Sequence, residues 1–303
     1  MGNPIKKAFL EELARRYGII RKLENSLSLF EIGNGAARIY IRYSKIHPGK
    51  ETFYGLRGAD LQKLEGFSSF ICYLWNEQTE PLFVPFNEYE DIFHSISPAS
   101  DGQYKAQIFF QDEYTELYVA NAGRFNVEAH YGWDGLDSAI NREKIRHLPH
   151  FTHSGIQTLL GAIGAEKGFE VWIPPDDRGT LDWNQAKKFK CCETLPYAYS
   201  TIKEILQEVD VIWMRRGSGE LRSLFEIEHT TTIYSGLLRF NDIHLISPSI
   251  HPRFSIVSNE ERRSLFIKQL NRPTFKASGL FEICGFLDYI NVYDWFNRLQ
   301  STE

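Results

Sequence analysis

The sequence predicts an α/β protein, α+β overall, with two domains, and three observations carry that expectation. In the first half, apolar residues alternate at period two in runs separated by glycine-rich turns, the pattern of antiparallel strands. Later residues run in the order helix, strand, hairpin, helix, strand, helix, which suits a mixed sheet flanked by helices. Between them lies the polar, turn-rich stretch GWDGLDSAINREKIRHLPH. It puts a boundary near residues 135–150 and gives an α+β domain at 1–140 and a second domain at 141–303. A chain of 303 residues is long enough for both.

In the first half, Ile5, Phe9, Leu10, Leu13 and Tyr17 fall near a 3.6-residue period and predict a helix over 5–17. LSLFEIGN and ARIYIRYSKI alternate at period two around Gly33, Asn34 and Gly35, a hairpin signal. GADLQKLEG reads as a short helix, FSSFICYLWN and PLFVPF as strands, and NEYEDIFHSI as a helix capped by Asn87. YKAQIFFQDE and TELYVANAG form a further hairpin-like pair.

In the second half, HSGIQTLLGAIGAEKG is a helix ended by Gly168. FEVWIP is a strand, an irregular segment follows, and STIKEILQ reads as a short helix. VDVIWMR and LRSLFEIEHT are strands joined by Arg216, Gly217, Ser218 and Gly219. TIYSGLLRFNDIHL is a helix and FSIVS a strand, with Asn259 capping the helix EERRSLFIKQLN.

Composition narrows the function classes. A net charge of -5 argues against a purely electrostatic nucleic-acid binder but not against a local basic patch. The four cysteines (Cys72, Cys191, Cys192 and Cys284) lack CxxC spacing, which argues against structural zinc. They read as free thiols in a reducing compartment. Neither a signal peptide nor a transmembrane run is expected, and the reading is a cytoplasmic protein without membrane partners.

The chemistry concentrates in LRSLFEIEHT. On a strand, Leu224, Glu226 and Glu228 share one face and Phe225, Ile227 and His229 the other. Folding the hairpin about residue 217 or 218 sets Asp210 opposite Glu226. Three carboxylates this close share protons or hold a divalent cation. Oxygen ligands favour Mg²⁺ or Mn²⁺, which polarises a phosphate oxygen and activates water. The plainer alternative for Glu-x-Glu is the solvated face of an edge strand. Around these acids, Gln157 on the first helix and Asp177 and Arg178 after the first strand are supporting candidates. Arg239 could stabilise charge developing on a phosphate, or simply pair with Asp242 or Glu228. Thr230, Thr231 and Thr232 are possible phosphate donors.

With GIQTLLGAIGAEKGFEVWIPPDDRG, VDVIWM and FEIEHTTTIYSGLLRFNDI, roughly residues 145–290 resemble the PD-(D/E)XK, restriction-endonuclease-like nuclease superfamily. The resemblance implies that Asp210 and Glu226 are the metal-binding acids, with Asp210, Glu226 and Glu228 catalytic. Glu228 stands where the superfamily usually has lysine. The literal Pro175–Asp176 pair is then a decoy, since the acid of the motif belongs on the hairpin.

In ARIYIRYSKI, Arg38, Tyr40, Arg42 and Ser44 share a face, with Lys45 nearby, a surface suited to phosphates and bases. An ordinary solvated strand face is the alternative. The combined expectation is a Mg²⁺-dependent DNA endonuclease of restriction or defence type. Its first half would recognise the nucleic acid, and it would act as a homodimer because cutting two strands needs two sites. The alternatives are a catalytically inactive nuclease-fold regulatory protein and an RNA-directed nuclease.

Overall fold

The computed structural model describes residues 3–23, 26–111, 114–142, 150–229 and 232–300. It separates into two compact units, residues 1–147 and 148–303. Most of the stretch between 142 and 150, inside the expected boundary, lies outside the described residues.

The first unit begins with α1 (Pro4–Tyr17), whose Asn3 side chain accepts from Ile5 N and Lys6 N. Next come β1 (Arg21–Lys22), β2 (Leu29–Ile32), β3 (Ala37–Tyr43), β4 (Glu51–Arg57), α2 (Gly58–Gln62), β5 (Ser69–Leu74), β6 (Leu82–Pro85) and α3 (Phe86–Ser95). The unit ends with β7 (Gln103–Phe110), β8 (Thr115–Val119), β9 (Gly123–Asn126) and α4 (Asp134–Arg142). One sheet runs β1-β2-β3-β5-β6 and another β4-β7-β8-β9.

Several local expectations are corrected here. Helix α3 starts at Phe86 after Pro85, with no side-chain cap, so Asn87 lies inside the helix. Residues 134–142 are helical because Leu136 and Ile140 share a face that is buried against Phe70 and Phe83. Strand β4, unassigned from sequence, buries Thr52, Tyr54 and Leu56 on alternate positions. The face of Arg38 and Tyr40 is not open. Strand β3 is central in its sheet and both of its faces are packed, with Tyr40 in one core and Ile39 and Ile41 in another; Arg38 is 6% and Tyr40 0% exposed. The Arg38 guanidinium lies over the Phe67 ring, donates to Lys63 O, and sits 3.5 Å from Glu31. Tyr40 accepts a bond from Arg57 N. Arg42 is half-buried, and Lys45 alone of the four is exposed.

The second unit contains α5 (His153–Glu166), β10 (Glu170–Trp172), α6 (Lys203–Gln207), β11 (Val211–Met214), β12 (Leu221–Ile227), α7 (Ile233–Ile246) and β13 (Arg253–Ser258). Then follow α8 (Arg263–Leu270), α9 (Pro273–Ser278), α10 (Leu280–Ile283), β14 (Cys284–Asp288) and α11 (Tyr289–Gln300). The sheet order is β10-β11-β12-β13-β14. The first three strands are antiparallel, whereas β12, β13 and β14 run parallel. This is the mixed sheet with flanking helices that the sequence predicts.

Side chains divide the sheet into two cores. Ile212, Leu224, Phe254 and Ile256 pack with Leu237 and Phe240 of α7. On the opposite side, the Trp213 ring stacks on Phe169 and meets Phe225 and Trp295, and its Nε1 donates to Leu160 O of α5. Glycine lets α5 approach this closely: a Cβ at Gly164 would lie 2.4 Å from Trp213 Nε1. Asn259 precedes a 3₁₀ turn and makes no side-chain capping bond, contrary to its expected role.

Candidate active site

Strand β12 is central, so the edge-strand reading of Glu226 and Glu228 does not apply: they are 3% and 4% exposed. Val211 pairs with Phe225, and extending that register by one residue brings Asp210 opposite Glu226, as the turn position predicts. The Ile227 N–H donates to Asp210 Oδ2 at 2.6 Å, which fixes the carboxylate at the strand end.

The acids then separate into different environments. Asp210 Oδ1 lies 3.5 Å from His153 Nε2. Gln157, fully buried on the same helix as His153, donates from Nε2 to Asp177 Oδ2 and to Asp210 O, each at 3.0 Å. Ligand atoms of His153, Asp177 and Asp210 all lie within 4.8 Å of one another, so these three could hold a metal ion. Asp176 is exposed, whereas Asp177 is half-buried.

Glu226 is instead bonded to Arg239 Nη1, and Arg239 Nη2 reaches Glu208 at 3.4 Å. Of the two pairings weighed for Arg239, neither is the one observed. Burial, and then the Asp210 carboxylate beside it, push the Glu226 carboxyl well above the usual carboxylate range, against the pull of Arg239. The hydrogen bond to Asp210 holds the His153 imidazole above its ordinary value, with burial opposing. Glu228 Oε1 accepts from Gly236 N and Ser235 Oγ, which ties it to the start of α7.

Two oxygens mark a missing partner. Gln157 Oε1 and Glu226 Oε1 are both buried without a hydrogen bond. A buried oxygen without a protein donor is one that a water or an ion can satisfy. Carboxylates, a carboxamide oxygen and an imidazole are a donor set that suits a divalent cation.

The remaining candidates sit elsewhere. Arg178 donates to Ile173 O and Cys192 O and lies over the Trp172 ring, an arrangement that fastens its own loop. His229 Nδ1 meets Tyr289 Oη at 3.2 Å. Thr232 is exposed, and Thr230 and Thr231 lie outside the described residues. The sequence reading missed His153. Its only signal is its spacing of one helical turn from Gln157, which places both on one face.

Residues 137–302 match the family described as the type II restriction enzyme NmeDI C-terminal domain. The chain belongs to that family. It is 31% identical over 132 residues to the type II restriction enzyme NmeDI of Neisseria meningitidis serogroup C. The alignment covers 41% of this chain and 37% of that enzyme, so the chain spans little more than a third of the relative's length. No solved structure matches the chain. Every residue of the acidic site lies within the family region. Among the described residues, no helix is long and apolar enough to cross a membrane.

Proposed function

We propose that this protein is a divalent-cation-dependent DNA endonuclease of restriction type, working with Mg²⁺ or Mn²⁺. The observation that carries the reading is the meeting of His153, Asp177 and Asp210, with Glu226 on the neighbouring strand, inside the region that matches a restriction-enzyme family. The order α5-β10-α6-β11-β12-α7-β13, with Asp210 before β11 and Glu226 on β12, supports placing the unit in the PD-(D/E)XK superfamily.

Asp210 and Asp177 would hold the cation, with Glu226 beside them. When bound, the ion polarises a phosphate oxygen and lowers the pKa of a water molecule. The protein's own part is positional. Ile227 N–H orients Asp210, and Gln157 sets Asp177 against the Asp210 backbone. Arg239 keeps Glu226 from turning away and offers positive charge at the site. Glu228, in the place of the usual lysine, is held by α7 and serves as a proton acceptor only if Gly236 N–H and Ser235 Oγ release it. Recognition of DNA is assigned to the first unit, with Lys45 as its exposed basic contact, and cleavage of both strands to a homodimer.

One observation favours a second reading, a non-cleaving DNA-binding protein: Glu226 and Glu228 are both already engaged by protein donors. Mixed-sequence duplex DNA incubated with the protein and Mg²⁺ or Mn²⁺ separates the two. Cleavage by the wild type and its loss in Asp210→Asn are expected. Identical behaviour of the two proteins with both metals would favour the binding protein, and parallel RNA substrates report the preferred nucleic acid.

A further inference from the structure

We infer that His153 is a direct ligand of the cation, which is then held by an imidazole nitrogen together with the carboxylates of Asp177 and Asp210. The inference rests on the proposed function only for the presence of a cation; the ligand set is argued from the side chains.

Ligand bonds of about 2.0–2.2 Å place donors roughly 3–4.4 Å apart around one ion. One ligand atom each from His153, Asp177 and Asp210 lie within 4.8 Å of one another, so small side-chain adjustments close the site. Each donor is already aimed. Asp210 Oδ2 is occupied by the Ile227 N–H, which leaves Oδ1 as the atom facing His153. The Gln157 amide holds Asp177 and the Asp210 carbonyl one helical turn after His153.

An independent observation points to an occupant. Gln157 is 0% exposed, its Nε2 is committed to two members of the group, and its Oε1 has no partner. Because the amide donates to a carboxylate, it cannot be reversed without opposing two oxygens. Its unpartnered oxygen, on the same amide that binds Asp177 and Asp210, can then accept from a water bound to the cation. Glu226 contributes less directly, since one oxygen is committed to Arg239 and only the other is unpartnered. The sequence pairs Asp210 with Glu226 as ligands, whereas the geometry pairs Asp210 with Asp177 and His153.

Imidazole changes the metal preference. Mg²⁺ favours oxygen donors and retains its waters, while Mn²⁺ and later transition ions accept nitrogen more readily. Mn²⁺ is therefore expected to bind more tightly than Mg²⁺ here, through His153.

The full chain, without a polyhistidine tag, is loaded with Mn²⁺ and read by pulsed EPR for ¹⁴N coupling from a coordinated imidazole. Mn²⁺ and Mg²⁺ affinities are measured by calorimetry. The wild type should carry the coupling. His153→Ala and His153→Gln should lose it, with Mn²⁺ affinity falling about 10- to 100-fold and Mg²⁺ affinity far less. The assignment is overturned if Mn²⁺ does not bind, if bound Mn²⁺ shows no nitrogen coupling, or if the coupling survives in folded His153 variants. DNA cleavage on the same samples keeps the two readings apart. Nitrogen coupling without cleavage sinks the nuclease and keeps the ligand, whereas cleavage with an oxygen-only Mn²⁺ site does the reverse.

Discussion

Gly164→Ala sets two opposed effects against each other. Alanine improves an exposed helix position by about 1 kcal/mol over glycine. Here the new methyl would lie 2.4 Å from Trp213 Nε1 and 2.6 Å from Cδ1, where carbon contacts normally need about 3.5–4.0 Å. Relief requires a movement of roughly 1 Å by the helix or by the indole. The indole has little room, being 1% exposed and packed on Phe169, Phe225 and Trp295. Overpacking of this kind costs about 1–3 kcal/mol. Loss of the bond from Trp213 Nε1 to Leu160 O would add about 1–3 kcal/mol for a buried unpaired donor. The net expectation is a loss of about 1–5 kcal/mol, at roughly 2–4 °C in Tm per kcal/mol for a unit of this size. Thermal melts followed by circular dichroism measure it. Gly179→Ala is the control, because a Cβ there meets nothing within 4 Å. A Gly164→Ala protein that melts at or above wild type would mean that helix propensity outweighs packing and that α5 is not clamped on Trp213. The same helix carries His153 and Gln157, so this contact also sets their height over the sheet.

Further expectations concern other parts of the molecule. A Cβ at Gly236 would lie 2.9 Å from Glu228 Oε1 and 3.0 Å from Glu226 Cβ. Gly236→Ala should therefore lower the urea midpoint by the equivalent of about 1–3 kcal/mol, and an unchanged midpoint would show slack between α7 and β12. Arg38→Ala leaves Glu31, which is 4% exposed, with only the exposed Arg21 at 3.5 Å among the described residues, and should cost roughly 3–5 kcal/mol, while Lys45→Ala leaves the melt unchanged. Equal melts for the two variants would contradict the buried assignment of Arg38. Burial holds the Asp288 carboxyl above its ordinary range. The folded state then binds this proton more tightly than the unfolded one, so this group's contribution to stability is greatest at low pH and falls as pH rises through the ordinary Asp value toward the raised one. Asp288→Asn keeps an oxygen for Asn291 N–H and should flatten that fall, which begins near the ordinary Asp value of about 4; parallel curves for wild type and variant would refute it.

What could be read from the sequence depended on how local the determinant was. The turn between β11 and β12 gave the Asp210–Glu226 pairing, because hairpin register follows from the turn. Helices α1, α5 and α7 announced themselves through apolar period. Strand β3 was misleading for the opposite reason. Its Arg38 and Tyr40 look like a solvated face, but that face is packed in a core, and Glu31, Phe67 and a backbone carbonyl provide for the guanidinium. Charge patterning cannot reveal a compensation made by distant residues. The same holds at the acidic site. Nothing local to His153 shows that it lies beside Asp210, and nothing local to Glu226 shows that Arg239 occupies one of its oxygens.

The hairpin has one more property. Val211, Ile212 and Trp213 keep one register with β12, but the pairing shifts between Trp213 and Met214. A shift of one residue ordinarily sends every side chain of a strand to the opposite face. Here the irregularity lies between the turn and the acids, so a residue gained or lost near Gly217 can be absorbed before the change reaches Asp210. A turn changed by one residue is therefore expected to leave Asp210 opposite Glu226.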